Sequence, residues 1–160
     1  MPNFYTDIIT KDLRFKSIDR VADINLLEPV TQQKVLAIIA DAKAHGIELM
    51  IFETYRSQKR QEELFEQGAS KLQKAGVHHY GLASDIVKNI KGDPAWKGDF
   101  SLLGELSHEH GFVWGVDWGN PSAKHTFIDP VHVQRCTVAR QAGLFRGEWY
   151  PETEYDPYKG

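Results

Sequence analysis

Between residues 35 and 42 the apolar positions Val35, Leu36, Ile38, Ile39 and Ala42 recur at the i, i+3, i+4, i+7 spacing of an amphipathic helix. Thr31 reads as its N-cap, and Gly46, just after Lys43 and His45, as its end. Residues 47–55 (IELMIFETY) are rich in β-branched and aromatic side chains and predict a core strand. Ser57 can cap a second helix that runs through Leu64 and Phe65 to Gly68. A loop of Gly, Ser and Lys fills 68–77, and 83–87 predicts a second strand. Residues 88–99 (KNIKGDPAWKGD) read as a polar connection with turn chemistry at Gly92, Asp93 and Pro94. Ser101 is expected to cap a third helix over 102–110, ended by Gly111. There follow a short strand at 112–114, an irregular loop at 117–127, a strand at 131–134 and a short closing helix at 137–144. Residues 1–30 have no clear period, and 19–29 read as a surface segment with a short helical turn at most. The tail, 146–160, is rich in aromatics, Pro and Glu; packing across the body and hanging loose are both open to it. The pattern predicts an α+β fold: a small, mostly antiparallel sheet with helices packed on one side.

With 160 residues, no internal repeat and no interdomain linker, the chain is expected to form a single domain over 1–160, its core at about 31–136. A chain of this size buries roughly 70% of its unfolded surface and needs no disulfide staples. The lone Cys136 can form none within the chain and reads as a small packed side chain. A net charge of -3, with no basic tail, gives no sign of a nucleic-acid partner. Residues 1–16 interleave Asp7, Lys11, Asp12 and Arg14 with apolar residues, which does not read as a secretory signal. No stretch approaches the length of a transmembrane helix, so no membrane partner is expected. The expectation is a monomer made in the cytoplasm, which must be delivered by other means if its substrate lies outside the membrane.

Two groups of residues carry the candidate chemistry: 78–85 (HHYGLASD) and 129–132 (DPVH). A catalytic zinc takes three protein ligands, usually His nitrogen or carboxylate oxygen, and keeps one position open for water. Gly81 lets the backbone bend sharply, so His78 at the edge of the turn and Asp85 in the following strand can point to one spot. His132 supplies the distant third ligand, and Asp129, three residues earlier, is placed to act as general base on a water there. On spacing alone the same residues also fit a solvated loop histidine and an Asp-Pro turn opener.

His78-x-x-Gly81-x-Ala83-x-Asp85 followed by Asp129-x-x-His132 resembles the signature of the zinc peptidases that include D-Ala-D-Ala carboxypeptidases and L-alanyl-D-glutamate endopeptidases, phage endolysins among them. Thr54-Tyr55-Arg56-Ser57 with the helix after it is similar to that family's strand–Arg–helix segment. Residues 112–118 (FVWGVDW) are similar to its Trp-Gly-Gly-Asp-Trp stretch. The resemblance implies a Hedgehog/D,D-peptidase-like fold, Zn2+ held by His78, Asp85 and His132, and Asp129 as catalytic base. It also implies Arg56 beside the metal, stabilising the oxyanion or pairing with a substrate carboxylate. The implied partner is the peptidoglycan stem peptide. The endopeptidase branch usually carries Asp where the carboxypeptidase branch carries Glu, so Asp129 points to the L-Ala–D-Glu bond. A D-Ala-D-Ala carboxypeptidase and a non-catalytic zinc-containing binding module, as in Hedgehog-type signalling domains, are the alternatives. The chain departs from the pattern at Gly76, often Ser, at Val116, often Gly, and at Gln134, often Glu. Gln134 can still orient His132 through a hydrogen bond. His79 neighbours His78, but Gly81 and Asp85 fall at the right offsets only from His78. Trp118 is the best candidate for a cleft wall, Trp114 for buried packing, and His125 lies near the presumed cleft.

Overall fold

The computed structural model describes residues 2–69, 76–117 and 129–159. The chain opens on a short helix, α1 (Phe4–Asp7), closed by reciprocal bonds between Asn3 and Thr6. The first long helix, α2 (Pro29–Ala44), begins earlier than Thr31 predicts. Glu28 is the N-cap: its carboxylate accepts from the Val30 and Thr31 amides, and the Thr31 hydroxyl donates to it at 2.7 Å. Pro29 explains the shift, since its fixed φ and missing N–H suit the first helical position. A carboxylate there is also favoured by the helix dipole.

Strand β1 (Leu49–Glu53) is shorter than the predicted 47–55. At one end Gly46 (φ 82) turns the chain out of α2, and the Ile47 amide donates back to Ala42. At the other, the register slips between Ile51 and Glu53, and the Thr54 amide leaves the sheet for the Val21 carbonyl. Ser57 caps α3 (Gln58–Glu66) as its sequence position predicts, accepting from the Arg60 amide.

Strand β2 (Ala83–Ile90) runs three residues beyond the predicted end, and the polar connection is a hairpin to β3 (Asp93–Ala95). Its two-residue turn is Lys91-Gly92, both at positive φ, so the turn lies ahead of Asp93 and Pro94. Pro94 is tolerated in a strand because β3 is a short edge. Helix α4 (Ser101–Glu109) starts at Ser101 rather than after it; Phe100 holds the cap position, and the Asp99 carboxylate accepts the Ser101 amide. Strands β4 (Val113–Trp114) and β5 (His132–Gln134) and helix α5 (Val138–Phe145), capped by Thr137, follow. The sheet order is β1-β2-β5-β4 with β3 also on β2, and each pairing is antiparallel.

The main core lies between α2, α4 and the sheet, through Val35, Ile38, Leu103, Leu106, Ile86 and Val133. Helix α5 contributes Leu144 to a second cluster with Val77, Leu82, Ala83 and Cys136. The segment ahead of α2 is not a surface strip: Val21, Leu26 and Leu27 are buried, Val21 and Leu26 packing with Ile9 and Tyr55. The tail packs across the body. Arg135, fully buried, donates to Glu28 at 2.8 Å and to the carbonyls of Glu152, Thr153 and Tyr155. Burial pushes the Cys136 thiol up to about 12, which suits packing and not a thiolate nucleophile. No helix among the described residues is long and apolar enough to cross a membrane.

Candidate metal centre

Asp85 on β2 and His132 on β5 are direct partners across an antiparallel ladder, so their side chains leave one face of the sheet side by side. His78 comes to them from a 3-10 turn, Val77–Tyr80, which Gly81 closes in the left-handed region (φ 74). A Cβ on Gly81 would lie 2.8 Å from the Ile9 side chain and 2.9 Å from the Leu26 carbonyl, so both backbone and space require glycine there. Asp85 Oδ1 lies 3.2 Å from His78 Nε2 and 3.4 Å from His132 Nδ1. The donor atoms of His78, Asp85 and His132 all fall within 4.8 Å of one another, and all three side chains are buried.

Each imidazole is fixed from behind. His78 Nδ1 donates to the Thr54 carbonyl at 2.8 Å, which leaves the Nε2 lone pair facing inward. His132 Nε2 meets the Gln134 amide oxygen at 2.8 Å, which leaves Nδ1 facing inward. The Gln134 amide is itself oriented, since its Nε2 donates to the Cys136 carbonyl at 2.7 Å and to Gln141 Oε1 at 3.0 Å. Two inward imidazole lone pairs and a carboxylate oxygen form a donor set that suits zinc. Burial pushes the Asp85 carboxyl upward, but the imidazoles of His78 and His132 hold it well below the usual carboxylate range.

Asp129 sits just ahead of β5 and is bound to β4 through Gly115. The Asp129 amide donates to the Gly115 carbonyl, and the Gly115 amide donates to the His132 carbonyl. A Cβ on Gly115 would stand 2.2 Å from the Asp129 carbonyl oxygen, so this close approach exists only with glycine. Burial, helped by the negative charge of Asp85, raises the Asp129 carboxyl above its ordinary value. Arg56 follows β1 and is largely buried. Its Nη2 donates to Glu53 at 2.8 Å and to Asp85 Oδ2 at 3.2 Å, and its Nη1 to Gln61 at 3.2 Å.

The structure thus brings His78, Asp85, His132, Asp129 and Arg56 into one neighbourhood. It keeps His79 out: that ring turns away into an aromatic cluster with Tyr5, Phe15 and Tyr55, and Nε2 bonds the Tyr5 hydroxyl at 2.9 Å. Trp114 packs against the main core, its indole N–H on the Pro130 carbonyl. Trp118 and His125 lie outside the described residues. Sequence reasoning missed Glu53, which is 1% exposed and accepts from both Arg56 and Arg60. The available signal was a charged residue inside an apolar strand, three positions before Arg56.

A profile of the VanY family, described as D-alanyl-D-alanine carboxypeptidase, matches residues 24–136. The peptidoglycan L-alanyl-D-glutamate endopeptidase CwlK of Bacillus subtilis is 34% identical over 111 residues, covering 58% of this chain. The chain spans 66% of the length of that relative. Among solved structures, the Serratia marcescens L-Ala D-Glu endopeptidase ChiX superposes with a TM-score of 0.55 at 19% identity, covering 74% of this chain and 90% of that one. The vancomycin-resistance D,D-pentapeptidase VanY, solved in complex with Zn(II), gives 0.53 at 16% identity, covering 75% and 78%.

Proposed function

Since the chain belongs to the VanY family of D-alanyl-D-alanine carboxypeptidases, we propose that it is a zinc-dependent peptidase of the peptidoglycan stem peptide that cuts the L-Ala–D-Glu bond. The observation that carries this reading is the convergence of His78 Nε2, Asp85 Oδ1 and His132 Nδ1, each imidazole fixed from behind. VanY bound to Zn(II), a relative by fold, supports zinc as the ion. The choice of bond rests on Asp129 in the base position and on the names of CwlK and ChiX.

In this reading His78, Asp85 and His132 would hold the ion, which would supply Lewis-acid polarisation. An Asp129 carboxylate oxygen accepts the water's proton as the water oxygen bonds to the carbonyl carbon. Asp129 then returns that proton to the departing amine as the C–N bond breaks. Burial and the negative charge of Asp85 raise the Asp129 carboxyl above its ordinary value, which makes its carboxylate a better proton acceptor. Arg56 lends positive charge to the oxyanion from a buried position, where it acts more strongly than in water. The enzyme acts on peptidoglycan after release or export.

Defined stem peptides analysed by mass spectrometry test the bond. New N-terminal D-Glu ends support the endopeptidase reading. Free D-Ala with no cut after L-Ala would replace it with the carboxypeptidase activity that the family description names. The Asp129→Ala variant should retain zinc and lose cleavage by at least about 100-fold. Full activity in that variant would remove Asp129 from its role, and zinc without cleavage in the wild type would favour a binding module.

A further inference from the structure

The Arg56 guanidinium faces two buried carboxylates at once. Glu53 and Asp85 are direct partners across β1 and β2, so their side chains leave the same face of the sheet. Arg56 Nη2 stands between them, 2.8 Å from Glu53 Oε1 and 3.2 Å from Asp85 Oδ2. Arg60 holds the other Glu53 oxygen at 2.5 Å. The result is a partly buried row, Arg60–Glu53–Arg56–Asp85, of two cations and two anions, which ends on the carboxylate whose other oxygen faces His78 and His132. The shorter of the two Arg56 contacts is the one to Glu53.

Guanidinium groups prefer to meet a carboxylate with two parallel bonds, one to each oxygen. If Glu53 were absent, Asp85 would be the carboxylate still hydrogen-bonded to Arg56 among the described residues, with Asp129 acting on the guanidinium at longer range. A two-pronged pairing would then occupy Asp85 Oδ1, the oxygen that completes the donor set with His78 Nε2 and His132 Nδ1. A guanidinium no longer neutralised by Glu53 would also repel a dication at short range.

From this arrangement we infer that Glu53 is a positioning residue: it holds Arg56 back from Asp85, keeping one Asp85 oxygen available to a divalent cation while Arg56 stays close enough to act on substrate. Arg60 in turn fixes Glu53. The inference rests on the reading of His78, Asp85 and His132 as metal ligands. It adds a role for Glu53, which touches neither the ion nor the reacting atoms.

The test is a double-mutant cycle read by zinc affinity, with metal-free protein competing against a chromophoric chelator. Wild type, Glu53→Gln, Arg56→Met and the double variant are compared, folding being checked by circular dichroism. Glu53→Gln should bind zinc about 10–100-fold more weakly, the range for losing a group that orients a metal ligand. In the Arg56→Met background the same substitution should change affinity by less than about twofold, because the competing cation has gone. Glu53→Gln with wild-type affinity overturns the inference. So does a loss of equal size in both backgrounds, which would mark Glu53 as merely a fold residue. If Glu53→Gln does not fold, Glu53→Asp runs the same cycle: it keeps the charge but withdraws it from Arg56, and a weaker, Arg56-dependent loss is expected. A wild-type protein that binds no zinc would refute the metal-site reading itself, which is a different outcome.

Discussion

Gln134 is the position where a change of one side chain separates metal binding from folding. Its amide oxygen accepts from His132 Nε2 at 2.8 Å, while its nitrogen donates to Cys136 and Gln141. Replacing it with Leu removes the acceptor and leaves the buried His132 N–H without that partner, and the ring loses what selects its tautomer. Loss of such an outer partner typically weakens metal binding about 10–100-fold, or about 1.4–2.7 kcal/mol. The lost hydrogen bond costs folding about 0.5–1.5 kcal/mol besides. Gln134→Glu separates the two effects. It keeps an acceptor for His132 but loses both donations, so zinc affinity should hold while the metal-free protein unfolds at lower urea. Chelator competition reads the first quantity and urea unfolding of metal-free protein the second. Wild-type zinc affinity in Gln134→Leu would show that the tautomer of His132 is set elsewhere and would refute the reasoning.

Further outcomes follow from the same geometry. Gly115→Ala puts a methyl group 2.2 Å from the Asp129 carbonyl oxygen and 3.1 Å from the His132 Cβ, so the base segment must shift and His132 must yield slightly; kcat should fall about 100-fold, as steady-state kinetics would show. Arg135→Met leaves Glu28 buried without its cation and frees the tail carbonyls, and should destabilise the fold by about 3–5 kcal/mol in urea unfolding. Burial raises the Glu53 carboxyl, but Arg56 and Arg60 outweigh it and hold the group below its ordinary value. Its contribution to stability is therefore present above the unfolded pKa and is lost as pH falls through the lower folded one. Metal-free wild type should lose stability below about pH 4.5, and Glu53→Gln should show a shallower decline over the same range, measured by thermal unfolding across pH.

Local chemistry made much of this protein legible in its sequence. Helix α2 follows from apolar spacing, the cap at Ser57 from a hydroxyl that accepts an amide within one turn, and the sharp turn at Gly81 from glycine's freedom at positive φ; Thr137, read as the first residue of the closing helix, is its cap instead. The spacing of His78, Asp85, Asp129 and His132 left a metal site and ordinary loop residues both open, and it was the resemblance to the zinc peptidases, over four segments in order, that implied the candidate chemistry. Element ends were less legible. Glu28 displaced Thr31 as a cap once Pro29 took the first helical position, and Lys91-Gly92 made a hairpin where composition alone reads a polar loop.

The tertiary structure decided what depends on residues far apart in the chain. The offsets of Gly81 and Asp85 already implied His78 rather than His79, and packing supplies the physical reason: His79 is taken up by Tyr5 and Phe15, more than sixty positions away. Which nitrogen of each ring faces inward was settled by the Thr54 carbonyl and the Gln134 amide. Glu53 became part of the site only when β1 paired with β2 and set it beside Asp85, and the tail was fixed only because the buried Arg135 collects its carbonyls. The sequence by itself determined the residue types and their spacing. The pairing of strands determined which of those residues meet, because a contact between distant positions is set by register and burial, and neither is written in any local stretch of chain.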